Sequence, residues 1–181
     1  MNLADFDIAT VEAGHTYELG RGVIIVTDIS NPGHFAQVDE VREQLSAYKR
    51  KNRGRIYRIA SGGECKVQVE RFVSERHPDL AVYVTPPPND DSSAWSIWIP
   101  ALVVEIVSYG SADRDYIEKR EEYLLFGVQE YWIFDSAKRQ LFALRRVRGR
   151  WDEVVVRSSR RYKTPLFPGL EFDCGAVFEA K

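Results

Sequence analysis

The sequence has little cysteine and no long apolar run, and each absence excludes a class of protein. Only Cys65 and Cys174 occur in 181 residues, too few for a disulfide framework and without the spacing of metal ligands. No stretch reaches the roughly 18 apolar residues of a membrane span, and the N-terminal residues lack the basic start and apolar segment of a signal peptide. We therefore expect a cytoplasmic protein in a reducing compartment, with no membrane partner.

The motifs of several common enzyme classes are also missing. His15, His34 and His77 are scattered, with no paired spacing for zinc, and the glycines form no phosphate loop between a strand and a helix. Neither cysteine has a basic neighbour in sequence that would activate it as a nucleophile. Zinc hydrolases, nucleotide-binding folds and cysteine hydrolases are therefore disfavoured.

What is present is the composition of a globular protein with an uneven distribution of charge. With 44% hydrophobic and 29% charged residues, the length predicts a single domain over residues 1–181. The net charge is only -2, yet residues 136–163 contain ten basic and two acidic residues, and a second basic cluster spans Tyr48 to Arg58. Such segments are either a nucleic-acid footprint or the solvated face of a hairpin, and charge alone favours the second.

The periodicity of apolar residues predicts an α/β fold with a mixed β-sheet flanked by helices. Helices are predicted over residues 35–51 and 111–126. "RIYRIAS" and "CKVQVERFV" alternate around "GGE" as a hairpin would, although residues 61–64 could also form a longer loop. Strands are predicted at residues 22–29, 55–61, 65–73, 80–84, 101–107, 130–135, 140–147 and 151–157. A long loop, residues 85–98, contains Trp95 and Trp98, which could contact a partner or pack on their own domain.

One charged residue stands inside the most apolar strand. "PALVVEIVS" carries only Glu105, and burying a carboxylate costs several kcal/mol unless a partner or a metal compensates. Asp79 precedes the strand "LAVYV", and Lys119 shares a helical stripe with Asp115 and Tyr123 at intervals of four, so it should face the sheet.

Two interpretations of these three residues remain open. Two carboxylates and a lysine suit a hard-metal site for phosphodiester hydrolysis, because Mg²⁺ prefers oxygen ligands and a lysine can stabilise developing charge. Alternatively, Glu105 and Lys119 form a buried structural ion pair and Asp79 is a turn residue. His77, beside the "PD" pair, is more typical of a turn than of a catalytic group.

Four segments in this order resemble the Uma-two-like family of restriction endonucleases, which is similar to the PD-(D/E)XK nucleases. They are "PDLAVYV" from Pro78, "VVEIVS" from Val103, "DRDYIEKREEY" from Asp113 and "GVQEYWIFD" from Gly127. The upstream "YELGRGVIIV" resembles the opening element of the family. The resemblance implies a restriction-endonuclease-like core over about residues 17–175.

The resemblance also implies a site and a chemistry. It places Asp79, Glu105 and the Ile106 carbonyl at a Mg²⁺ or Mn²⁺ ion and suggests Glu18 as a further acidic group. The lysine of the superfamily lies two residues after the acidic residue, where this chain has Val107, so Lys119 would replace it. DNA would be the substrate, and a homodimer would suit cleavage of two strands.

Two features depart from the family pattern. "SYGS" follows the buried strand where the family has "SPST", and the loop at residues 85–98 is long. Both departures leave the carboxylates in place.

The residues around Glu105 and the resemblance together predict a metal-dependent DNA endonuclease. The alternative is a catalytically inactive module of the same fold that binds DNA or a protein partner.

Overall fold

A computed structural model describes residues 1–108 and 110–181; Tyr109, in the "SYGS" segment, lies outside them. Within these residues the chain forms twelve strands and four α-helices. The helices are α1 (Leu3–Asp7), α2 (Pro32–Lys51), α3 (Lys119–Phe126) and α4 (Cys174–Glu179). The strands are β1 (His15–Gly20), β2 (Val23–Asp28), β3 (Arg58–Ala60), β4 (Val67–Val69), β5 (Ser74–Arg76), β6 (Leu80–Tyr83), β7 (Leu102–Val107), β8 (Glu130–Asp135), β9 (Gln140–Val147), β10 (Arg150–Arg157), β11 (Arg161–Tyr162) and β12 (Phe172–Asp173).

Six strands form a central mixed sheet in the order β10-β9-β8-β7-β6-β3. β7 and β8 are parallel, whereas the other neighbours are antiparallel. A parallel pair needs a crossover connection, and here α3 supplies it between β7 and β8. A second sheet has the order β2-β1-β5-β4, and β11 pairs with β12. The predicted α/β class with a mixed sheet is confirmed.

The two faces of the central sheet pack against different layers. Leu102, Val104 and Ile106 of β7 belong to a buried cluster that includes residues of α2 and α4. Val103 belongs to the cluster on the other face, with Tyr123 of α3. Side chains alternate along a strand, so Glu105 shares the face of Val103 and lies beneath α3.

The predicted hairpin around "GGE" is wrong. β3 pairs with β6 in the central sheet, whereas β4 pairs with β5 in the second sheet. Gly62–Glu64 is a short 3-10 helix at whose start the Ser61 backbone N–H donates to the Glu64 carboxylate. Period-two alternation identifies a strand but not its partner, and the connection between the two sheets is the longer loop that the sequence also allowed.

Three other segments refine the predicted elements. β1 and β5 lie in stretches that the apolar pattern did not identify as strands, because β1 has only two apolar residues, Tyr17 and Leu19, and β5 has three residues of which two are charged. α2 begins three residues earlier than predicted, where the Asn31 side chain accepts a hydrogen bond from the His34 N–H and Pro32 occupies the first turn. Among the described residues, the helices are too short or too polar to cross a bilayer.

Candidate active site

The antiparallel pairing of β6 and β7 brings Asp79 and Glu105 together. Leu80 pairs with Val104, so Asp79, which precedes Leu80, lies beside Glu105, which follows Val104. Both carboxylates therefore lie where β6 begins and β7 ends. We call such a boundary of the central sheet, formed by the ends of its strands, an edge. Two residues that are 26 positions apart in sequence meet because of this register.

Asp79 takes the place of a missing strand partner. Pro78 would be the next residue opposite Ile106, but it has no N–H and its carbonyl accepts a hydrogen bond from the Gly62 N–H. Asp79 Oδ2 instead accepts from the Ile106 N–H at 2.7 Å and lies 3.2 Å from His34 Nε2. The N–H and C=O of one strand residue point to the same side, so the Ile106 carbonyl also faces Asp79.

Glu105 is almost completely buried, and its hydrogen bonds converge on one oxygen. Oε1 accepts from Lys119 Nζ at 3.0 Å and from the Tyr123 hydroxyl at 2.8 Å. Among the described residues no hydrogen bond reaches Glu105 Oε2 or Asp79 Oδ1. Burial raises the pKa of Glu105 to about 8; Lys119 opposes this shift, and neighbouring carboxylates, Asp79 first among them, add to it.

Lys119 lies inside a group of carboxylates. Its Nζ is 3.0 Å from Glu105 Oε1, 3.2 Å from Asp115 Oδ1 and 3.5 Å from Glu18 Oε1. Burial alone would lower the pKa of Lys119, but the surrounding carboxylates outweigh it and raise that pKa well above its usual value. The ammonium therefore stays charged and lies on the face of β7 that carries Glu105 and Val107.

A π-helical turn, Arg114–Glu118, precedes α3 and anchors this face of the site. The Lys119 N–H bonds to the Arg114 carbonyl, five residues back, which leaves the Asp115 carbonyl without its usual helical partner. The buried Tyr131 hydroxyl of β8 donates to that carbonyl at 3.0 Å. The Ser111 hydroxyl donates to Asp115 Oδ2 at 2.6 Å, so the turn is fixed to the sheet and to its own start.

Glu18 also enters the group, but its oxygens are already engaged. Oε1 accepts from the His77 backbone N–H at 3.0 Å and lies near Lys119, while Oε2 lies 3.4 Å from Arg76 Nη1. Burial would raise the pKa of Glu18, but Lys119 and then Arg76 lower it below its usual value. Arg76 is fully buried and its Nε donates to Glu122 at 2.7 Å. Glu18 therefore links the second sheet to Lys119.

Three other sequence candidates face away from this group. The His77 ring contacts the Cys65 carbonyl at 3.2 Å and Glu75 Oε1 at 3.1 Å. Trp98 stacks on Tyr83 with ring centroids 3.8 Å apart, and Trp95 packs against Trp98. Tyr83 ends β6 at the edge opposite Asp79, so the tryptophans of the loop pack on the protein itself.

His34 is the contact that the sequence did not reveal. It lies in the first turn of α2, 45 residues before Asp79, and no local pattern connects the two residues. The breaker "SNPG" predicts a helix start nearby, but the position of that start over the sheet depends on the packing of α2.

The donor set suits a hard divalent cation. Asp79 Oδ1, Glu105 Oε2 and the Ile106 carbonyl are all oxygen donors, and Mg²⁺ usually takes one or two carboxylates and keeps several waters. Within residues 1–108 and 110–181, no three His, Cys, Asp or Glu side chains are arranged as a complete metal cluster. The remaining positions around such an ion would therefore belong to water and substrate.

The basic residues of the 136–163 segment divide between two edges of the central sheet. Val107, Asp135, Gln140 and Arg157 lie in one row of pairings, so Arg157 shares the edge of Glu105. Arg150 pairs with Val147 at the opposite edge. The segment is therefore a hairpin with basic groups at both ends, and only one end lies beside the carboxylates.

Comparison with known proteins agrees with this architecture. A crystal structure described as "a putative nuclease belonging to DUF820" from Anabaena variabilis has a similar fold, with a TM-score of 0.78 and 18% sequence identity over 98% of this chain and 97% of that chain. No curated protein sequence matches this chain. A model of the Uma2 family, described as "Putative restriction endonuclease", matches residues 3–175. The resemblance carried by the sequence motifs is thus confirmed, and the chain belongs to the Uma2 family.

Proposed function

We propose that this protein is a metal-dependent endonuclease that hydrolyses phosphodiester bonds in DNA. The observation that carries the proposal is a pair of carboxylate oxygens, Asp79 Oδ1 and Glu105 Oε2, on neighbouring residues of the sheet. Neither oxygen accepts a hydrogen bond from a described residue, so both are available to a cation. Membership of a family described as restriction endonucleases supports the reaction class.

The charge of the site also supports a cation. Glu18, Glu105 and Asp115 all lie within 3.5 Å of Lys119, and Asp79 adds to the negative charge around Glu105, so the carboxylates repel one another in a poorly solvated site. A structural ion pair would need only one of these acids. The repulsion that raises the pKa of Glu105 is what a divalent ion bound between Asp79 and Glu105 would relieve.

Each residue then has a role in hydrolysis. Asp79, Glu105 and the Ile106 carbonyl would hold the metal, which when bound supplies an activated water and polarises the scissile phosphate. Lys119, held charged at 3.0 Å from Glu105, would orient the attacking water or stabilise the charge that develops on the phosphate oxygens. Tyr123 would hold Glu105 Oε1 by its hydrogen bond and so leave Oε2 available to the metal.

The edge of the sheet offers a path for the nucleic-acid backbone. Arg157 and Arg160 are exposed and make no ion pair among the described residues. Arg157 lies three strands from β7, which corresponds to roughly 14 Å at the usual spacing of strands. Cations at this distance would bind phosphates on one side of the cleaved bond.

Plasmid cleavage tests the proposal. Purified protein with Mg²⁺ or Mn²⁺ should nick or linearise supercoiled DNA, and Asp79→Asn and Glu105→Gln should each abolish this. A matched control is Glu75→Gln, because Glu75 is also buried but bonds to Lys66, Gln68 and His77 instead. Protein that binds DNA but cuts none in either metal would favour the inactive binding module.

A further inference from the structure

The imidazole of His34 contacts the Asp79 oxygen that also accepts a hydrogen bond from β7. His34 Nε2 lies 3.2 Å from Asp79 Oδ2, and that oxygen also accepts from the Ile106 N–H at 2.7 Å. We propose that His34 is a positioning residue that holds the Asp79 carboxylate in the orientation that binds a divalent cation. The inference rests on the proposed function, since it concerns the same metal.

The position of the proton in this 3.2 Å contact follows from the chemistry of the two groups. An ionised carboxylate can only accept, so His34 Nε2 carries the proton and donates it. Both the neutral Nε2–H tautomer and the imidazolium have a proton at Nε2, so the role of His34 needs no change of protonation. His34 Nδ1 is buried and has no hydrogen-bond partner among the described residues. The ring nitrogen that makes a polar contact there is Nε2, with Asp79.

The helix that carries His34 is fixed over the sheet. The Asn31 side chain caps the first turn by accepting from the His34 N–H at 3.0 Å. Val41 and Leu45, further along α2, are fully buried in the core cluster that also contains Ile106. The His34 side chain is only 9% exposed, so its ring has little freedom to leave Asp79.

Two donors on one oxygen decide the orientation of the other. With the His34 contact and the Ile106 N–H hydrogen bond both on Oδ2, the Asp79 carboxylate cannot rotate without losing both interactions, and among the described residues no hydrogen bond reaches Oδ1. Without the imidazole, the Ile106 N–H alone would hold the carboxylate, which could then turn about its terminal torsion. Outer partners of metal ligands typically contribute about 10–100-fold in affinity or activity.

Calorimetric titration with Mn²⁺ tests the role of His34 directly. We expect His34→Leu to bind Mn²⁺ about 10–100-fold more weakly than the unmodified protein. His34→Gln should stay within about 3-fold, because the glutamine amide nitrogen can reach the position of Nε2 and donate to Asp79. His15→Leu is the matched control, since His15 lies 3.2 Å from Asp28 on the second sheet, and it should bind Mn²⁺ as the unmodified protein does.

The outcomes separate this inference from the proposed function. If the unmodified protein binds Mn²⁺ and folded His34→Leu binds it equally well, the inference is wrong and the proposed function stands. If His34→Leu does not fold, folded His34→Gln decides, and binding weakened 10-fold or more in that variant overturns the donor role. If the unmodified protein binds no Mn²⁺ while cutting no DNA, both proposals fail together.

Discussion

Lys119 Nζ, at the start of α3, lies 3.0 Å from Glu105 Oε1 in β7. The two residues are 14 positions apart, and the contact brings a charged ammonium onto the face of β7 that carries Glu105. The proposed function therefore assigns to a helix residue, Lys119, the role of the lysine near the metal. Both the proposed chemistry of the site and its stability depend on this arrangement.

Replacement of Lys119 should destabilise the metal-free protein and should slow catalysis in the molecules that remain folded. We expect Lys119→Met to lower the rate of plasmid cleavage by about 10²–10³-fold, the usual cost of removing one preorganised charge or donor at a developing anion. Lys66→Met is a suitable control because Lys66 pairs with Glu75 and Asp7 and not with the proposed metal ligands. Equal cleavage rates for the unmodified protein and folded Lys119→Met would show that the lysine is only structural.

Neutralising Glu105 should stabilise the metal-free protein in alkaline solution. Burial raises the pKa of Glu105 to about 8, so above that pH the folded protein holds an unfavourable extra charge, while Lys119 keeps Asp115 and Glu18 as partners. We expect Glu105→Gln at pH 9 with chelator to melt a few degrees higher, since about 1 kcal/mol corresponds to 2–4 °C for a chain of this size.

Glu75→Gln should have the opposite effect. Although burial opposes ionisation, hydrogen bonds led by the one to His77 lower the pKa of Glu75 to about 2, so its charge is favoured in the fold. Its removal should cost about 1–3 kcal/mol. A Glu105→Gln variant that melts as far below the unmodified protein as Glu75→Gln does would identify Glu105 and Lys119 as a structural ion pair.

The metal-free protein should lose stability as the pH rises from about 5 to about 8. Glu105 is protonated in the folded state up to about pH 8 but releases its proton near pH 4.5 when unfolded. Its contribution to stability is thus fully present below about pH 4.5 and is lost as the pH rises through about 8. Differential scanning calorimetry from pH 5 to 8 should show a falling Tm whose slope flattens in Glu105→Gln; identical slopes would contradict the shift.

Metal affinity should rise over the same pH range. A cation requires the ionised form of Glu105, so binding below about pH 8 should release close to one proton, and the affinity should increase about tenfold per pH unit there. Titrations in buffers with different enthalpies of ionisation count the released proton. Binding of a metal at this site with no linked proton would argue that Glu105 is not a ligand.

The sequence predicted the placement of Glu105 and Lys119 better than it predicted the residues around them. The helical interval of four turned Lys119 toward the sheet, and the single charge in "VVEIVS" singled out Glu105, because both signals are local. His34 could not be found in this way, since its contact with Asp79 depends on how α2 packs across the sheet. The wrong hairpin around residues 62–64 has the same origin: alternation identifies β3 and β4 as strands but does not reveal that they join different sheets.

Binding of DNA should depend on the end of the hairpin that lies beside the carboxylates. We expect the double variant Arg157→Ala/Arg160→Ala to weaken binding and to reduce the slope of log affinity against log salt by roughly 0.9 for each phosphate that the variant no longer neutralises. Arg148→Ala/Arg150→Ala removes the same charge from the opposite edge and should change neither quantity. Equal effects of the two double variants would indicate general attraction without a defined path.

A crystal soaked with Mn²⁺ tests the central claim most directly. We predict one anomalous difference peak within bonding distance of Asp79 Oδ1, the Glu105 carboxylate and the Ile106 carbonyl oxygen, with Lys119 beside it. Absence of a peak at this edge of the sheet, with Lys119 still closed on Glu105 at saturating Mn²⁺, would contradict the account and identify the carboxylates as parts of a structural network.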